Sequence, residues 1–377
     1  MTRSVGEPDH NARLQERRRR RRRQIRIRRT VALAVLLALA AGIALGARAV
    51  GSGHDAGAPS QLKRSPVAHK PAERAVPDEI RGVHVTMALA SLSGRLRQYL
   101  SIPGLNAIEL DVKDENGHIG PGIYYDAKRA VRDVHSHGDY LIGRVVTFED
   151  PVLSEKRPEL AIRSSDGSVW HTNAGLGWTN PYDRRVWAYN VNVAAAAARA
   201  GFDEIQFDYV RFPSDGDLSL IRYPGAHPQP MRWTIPAFVQ YAAHRLHPLG
   251  VKVSVDVFGL SATRDLGIGQ LPRRVSSYVD AVYPMTYPSH YNPGEYEIDA
   301  PDDQPGLVVS RSLADFQRAL EGRSTRLTPW LQDFSLGRTY TLQDMRLQIA
   351  AAKAHHTNGF LLWNPEGVYT SAALRAG

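Results

Sequence analysis

Cysteine is absent from all 377 residues of this chain. Disulfides, thiolate nucleophiles and Cys-ligated metal centres are thereby excluded, and the redox compartment is left open. The sequence also lacks an HExxH run, a compact Asp/His cluster and a Gly-rich phosphate loop. Neither a metal nor any other cofactor is therefore expected. A basic face is missing too, despite a net charge of +9. Residues 1–30 hold 12 Arg and no Lys against three acids, Glu7, Asp9 and Glu16. The remainder carries 35 of the 47 basic residues and 35 of the 38 acidic ones. The body of the protein is neutral, so nucleic acid is not an expected partner.

What is present begins with an unbroken arginine run, Arg17–Arg23, in a basic segment spanning 1–29. Residues 30–47 then carry no charge and are built from Val, Ala, Leu, Ile and Gly after Thr30. As a helix these eighteen residues would rise about 27 Å, close to the hydrocarbon thickness of a bilayer. With the arginines held in the cytoplasm, this reads as a single-pass signal anchor in the cell membrane, with everything downstream extracytoplasmic. A cleaved signal peptide and a secreted protein form the alternative, because Ala47-Arg48-Ala49 fits a small-x-small cleavage site. Residues 48–77, rich in Ala, Gly, Pro, Ser and His without periodicity, read as a flexible linker.

From residue 78 to 377 the pattern alternates strand and helix. Strands are expected at 81–87, 105–113, 140–148, 203–211, 252–259, 280–287, 327–334 and 359–364. Helices fall between them, at about 92–100, 126–137, 182–200, 235–248, 271–278, 311–321 and 342–356. The clearest helix has Asn180 as N-cap, Pro181 at its first position and Gly201 beyond its end. Eight β segments with intervening helices predict an α/β fold, a single (β/α)8 TIM barrel.

In such a barrel the active site lies at the C-terminal ends of the strands. Those ends supply His84; Glu109, Asp111 and Lys113, expected to alternate along strand two; and Arg144. Strand four supplies Gln206, Asp208 and Arg211, with Gln206, Asp208 and Val210 on the face opposite Ile205, Phe207 and Tyr209. Ser254 and Asp256 follow, then Tyr283, Met285, Tyr287 and His290. Trp330, Gln332, Asp333, Trp363, Asn364 and Glu366 complete the circle, and loops add Trp170, Trp178, Tyr182 and Trp233. Asp and Gln in mid-strand require a polar cavity or a buried partner. Carboxylates ringed by aromatics suit a sugar site, since pyranose faces stack on rings while acids act on the glycosidic oxygen. Each has a structural rival: aromatics often only pack, Asp111 and Lys113 could satisfy one another, and Asp208 could merely anchor Arg211.

The runs GFDEIQFDYVRFPSDG at 201–216, VYPMTYPSHY at 282–291 and PWLQDF at 329–334 resemble a bacterial glycoside hydrolase family. RGVHVT at 81–86, ELDVKDENG at 109–117, WTNPY at 178–182 and VSVDVFG at 253–259 extend the resemblance over roughly 80–368. The resemblance implies a TIM barrel related to the α-amylase-like superfamily. In that wider group the nucleophile is an Asp ending strand four, which Asp208 matches. The acid/base following strand five is usually Glu, where this chain has Asp256; Glu295, Glu297 and Asp333 are the other acids within reach of the role. The expected protein is a glycoside hydrolase acting on a polysaccharide or cell-envelope glycan, with Asp208 and Asp256 catalytic. His84, Asp111, Lys113, Arg144, Trp178, Gln206, Arg211, Tyr283, Tyr287, His290, Trp330, Gln332 and Trp363 are expected to bind substrate. A turnover-deficient glycan-binding barrel and a metal-dependent deacetylase or phosphodiesterase are the alternatives.

Overall fold

A computed structural model describes residues 74–375. The basic segment, the apolar stretch 30–47 and nearly all of the linker lie outside the described residues. Among the described residues no helix is long and apolar enough to cross a membrane.

The strands are β1 (Ile80–Val85), β2 (Ala107–Lys113), β3 (Tyr140–Val146), β4 (Glu204–Asp208), β5 (Lys252–Phe258), β6 (Ala281–Met285), β7 (Arg326–Leu327), β8 (Trp330–Gln332) and β9 (Gly359–Trp363). All pair in parallel in the order β5-β4-β3-β2-β1-β9-β8-β6-β7, and a β5–β6 pairing closes the ring. Both β7 and β8 pair with β6, so together they form one stave of an eight-stave barrel. The stave is interrupted at Pro329, which has no N–H to give to a ladder.

Alternation along each strand separates two cores. Val83, Ile108, Leu110, Val145, Ile205, Phe207, Val253, Val255 and Leu362 face outward and are buried against the surrounding helices. A smaller apolar cluster, including Ile80, Ala107, Tyr140, Ile142, Tyr283 and Leu361, fills the barrel interior. Gly82 makes that interior possible: a Cβ there would stand 2.2 Å from Leu361 Cδ2.

The long helix before β4 spans Arg184–Ala200, with Asp183 as its N-cap accepting from the Arg185 N–H, rather than Asn180. The Asn180 side chain instead caps the turn before it, accepting from Tyr182 N–H at 3.1 Å. Gly201 closes the helix at φ 107, a left-handed conformation suited to glycine. The expected strand 203–211 ends at Asp208, because Tyr209 turns to φ 46. The alternation therefore stops there, and Val210 joins the outer core instead of facing the cavity with Asp208.

Candidate active site

Strand register brings the two principal carboxylates together. β4 and β5 pair Phe207 with Val255, so Asp208 and Asp256 stand side by side one residue further along. Both line a cavity of about 400 Å³ at the C-terminal ends of the strands. Its walls include Arg144, Arg211, Phe258, Tyr287, Trp330 and Trp363, with His290 exposed at the rim. Gly259 keeps one wall thin, since a Cβ there would meet the Tyr291 hydroxyl at 1.9 Å.

The two carboxylates sit in contrasting surroundings. Asp208 Oδ2 accepts from Arg144 Nε at 3.0 Å and Nη2 at 2.8 Å. Its Oδ1 accepts from the Tyr209 N–H at 2.7 Å. Tyr209 itself turns to the left-handed φ of 46, a conformation that costs a non-glycine residue of order 1–3 kcal/mol and tends to mark functional sites. Arg144 also reaches Asp111 at 2.8 Å and Glu115 at 3.4 Å, so its charge is fully engaged. Arg211, expected as the partner of Asp208, makes no ion pair with it; Arg144 on the neighbouring strand takes that place.

Among the described residues Asp256 has no cationic partner in contact. Burial, together with the Asp208 charge beside it, holds its carboxyl protonated well above the usual carboxylate range. Its Oδ1 accepts a 2.6 Å hydrogen bond from Trp330 Nε1. The remaining oxygen can carry the proton. One charged and one protonated carboxyl side by side is the arrangement general acid chemistry requires.

Beneath the cavity lies a buried polar layer. His84 Nδ1 bonds Glu109, and its Nε2 stands 3.7 Å from Asp111. Burial opposes charge on His84, but Asp111 and Glu109 outweigh it and raise its pKa. Gln206 and Tyr283 are fully buried in the interior and do not line the cavity, so the geometry does not offer them to substrate. Gln332 is likewise buried and brackets the loop after β6, accepting from the Ser289 N–H at 3.0 Å.

Lys113 and Trp178 are two further expected substrate contacts that the structure corrects. Lys113 does not alternate with Asp111. An irregularity in the β2–β3 register lies between them, and Lys113 comes to pair with outward-facing Val145. Its amine is buried outside the barrel, 2.7 Å from both Asp150 and Asn190. Trp178 is 1% exposed and belongs to the outer core, supporting the pocket from behind under the Arg211 guanidinium at 4.9 Å. The other candidate acids also stand off the cavity. Asp333 accepts from Thr370 N–H and Oγ1, both at 2.7 Å; Glu295 is held by Arg264; Glu297 is exposed.

One acid near the site escaped the sequence reading. Glu149 is buried just past β3, and burial pushes its carboxyl up to about 8 against the pull of Arg211. The signal available was its place immediately after a strand end, where periodicity no longer flags a residue. Among the described residues no group of three or more His, Asp or Glu stands where it could hold a metal ion.

Residues 82–369 match the family described as "Putative glycosyl hydrolase domain". The chain belongs to this family. Its enzyme class is accordingly glycoside hydrolase. No curated protein matches the chain in sequence. The fold is similar to the PgaB (BpsB) glycoside hydrolase domain of Bordetella bronchiseptica, at 12% identity and TM-score 0.59, covering 79% of this chain and 98% of that one. The spore cortex-lytic enzyme SleL of Bacillus megaterium aligns at 11% identity and TM-score 0.51, covering 84% and 77%. A hypothetical protein from Ruminiclostridium thermocellum is 33% identical over 46% of this chain and 97% of that one, at TM-score 0.43. At 11–12% identity the first two share the fold with this chain, and the chemistry is argued from its own residues.

Proposed function

We propose that the protein cleaves glycosidic bonds of a polysaccharide or cell-envelope glycan with Asp208 and Asp256 as the catalytic pair. The observation that carries this reading is their contrast within one cavity: a carboxylate braced by Arg144 next to a carboxyl that keeps its proton. Asp208 attacks the anomeric carbon or stabilises the oxocarbenium ion, following the α-amylase-like pattern for an Asp ending strand four. Asp256 protonates the leaving oxygen through the oxygen not bonded to Trp330, and then activates water. Tyr287, Trp330 and Trp363 offer aromatic surface to sugar rings, and His290 closes the rim. His84 and Asp111 act one layer below, fixing Arg144 rather than touching sugar. The glycan-acting enzymes of similar fold support a polymeric substrate by analogy only.

Release of reducing ends from a panel of purified envelope glycans tests the reading. Hydrolysis by the wild type that disappears in Asp256→Asn supports it; tight glycan binding without turnover favours a binding barrel. The site's placement outside the cytoplasm is part of the proposal and rests on the arginine run ahead of residues 30–47. Protease added to intact spheroplasts should remove the barrel, whereas a protected barrel would refute this placement.

A further inference from the structure

The cavity holds two arginines with different commitments. Arg144 spends its Nε/Nη2 edge on Asp208 and its Nη1 on Asp111 and Glu115. Arg211 is 8% exposed, lines the same cavity, and makes no ion pair with any described residue. Among the described residues its side chain donates from Nη1, to Phe212 O at 3.2 Å and Ser214 Oγ at 2.9 Å. The Nε–H and Nη2–H edge takes no partner among the described residues. Three rings surround the guanidinium, Trp178 and Tyr209 at 4.9 Å and Phe258 at 4.8 Å. They hold its plane while leaving this edge open, a preorganised fork of two parallel donors. The acid that feels its charge, Glu149, is held protonated by burial with its carboxyl pushed up to about 8, so Arg211 keeps a cost of burial that a bound anion relieves. Asp208 is ion-paired with Arg144, which lessens its repulsion of such an anion, and Asp215 lies at the exposed edge of the cavity.

Building on the hydrolase reading, we infer that the substrate is an acidic glycan, and that Arg211 receives a sugar carboxylate bidentately in the subsite beside Asp208. A carboxylate matches the fork in plane and spacing, offering one oxygen to each donor.

Calorimetry on the full chain, with oligoglucuronate and oligogalacturonate each paired with its carboxyl-reduced neutral counterpart, tests this. At least one acidic oligosaccharide should bind roughly 10-fold or more tighter than its reduced form, as expected for two charge-assisted hydrogen bonds. In Arg211→Gln the ratio should collapse towards one. Arg211→Lys, which keeps the charge and the stem but not the fork, should lose most of it; it decides the matter if the glutamine variant fails to fold. Equal binding within every pair, no binding of any oligosaccharide, or a preference that survives in both variants would overturn the inference. Hydrolysis of neutral glycans without acid preference would refute it while leaving the hydrolase reading intact. Carboxylate preference without cleavage would do the reverse.

Discussion

The two halves of the barrel divide the work. Strands β2, β3 and β5 span seven residues and β4 five, and they carry the charged groups, Asp111, Arg144, Asp208 and Asp256. Strands β6 and β9 span five residues, β7 and β8 are the two short pieces of a stave broken around Pro329, and this half carries Tyr287, Trp330 and Trp363. In the charged half the ladders pair Asp111 with Arg144 and Val146 with Asp208, so strand register sets the ion pairs. The halves join along the β5–β6 ladder, and in the cavity Trp330 Nε1 bonds Asp256. Burial and the Asp208 charge raise that carboxyl, and the Trp330 bond pulls it part of the way back. Rigid hydrogen-bonded strands hold charges whose spacing matters, while the shorter strands release their ends into loops that can present ring faces.

The largest effect should follow from disabling the charged half. Asp208→Asn removes the charge but keeps the shape, and kcat should fall by at least ~10³-fold while substrate affinity changes little, if the charge acts in the transition state. Arg144 would be left underpaired, so a stability loss of about 1–3 kcal/mol is expected alongside. Turnover per folded molecule and the melting curve, measured on one preparation, separate the two effects.

Next comes the support behind the pocket. Trp178→Ala should cost about 3–5 kcal/mol, the usual range for truncating a buried Trp, and appear as a lowered Tm. Unchanged stability with weakened glycan binding would return Trp178 to the role of a subsite wall.

The junction between the halves should be milder. Trp330→Phe deletes the donor that favours the charged form of Asp256. The alkaline limb of the kcat/KM profile should then move to higher pH, because the carboxyl loses a bond that lowered its pKa. A shift to lower pH would contradict the hydrogen bond's assigned effect.

The smallest expected effect is thermodynamic. Glu149 has its folded pKa raised from 4.5 to about 8, so the folded state binds its proton more tightly than the unfolded chain. Stability should therefore fall as pH rises between those values, and Glu149→Gln should flatten that slope. Tm recorded from pH 5 to 8 for both proteins checks the sign; parallel curves would place the cause elsewhere.

Much of this site was legible in sequence because strand ends of a (β/α)8 barrel converge by topology. Gln206 and Asp208 announced an inward polar face simply by interrupting an apolar alternation. The partner of Asp208 was not legible. Arg211 lies three residues away, whereas Arg144 lies 64 residues away and becomes adjacent only through the β3–β4 register. Lys113 was misplaced because one irregularity in β2 turned it outward, and a period of two cannot reveal a bulge. Trp178 misled because aromatic residues serve cores and sugar sites alike, and only burial distinguishes them.

Asp256 is proposed to deliver the proton to the departing oxygen. The direct test compares kcat/KM of wild type and Asp256→Asn on two aryl glycosides of a sugar the enzyme cleaves, one with a nitrophenolate leaving group and one with a poor leaving group. A proton donor contributes ~10²–10⁴-fold where the leaving oxygen needs a proton and far less where it does not. Asp256→Asn should lose most of its activity on the poor leaving group and nearly retain it on the activated one. An equal loss on both substrates would contradict this role.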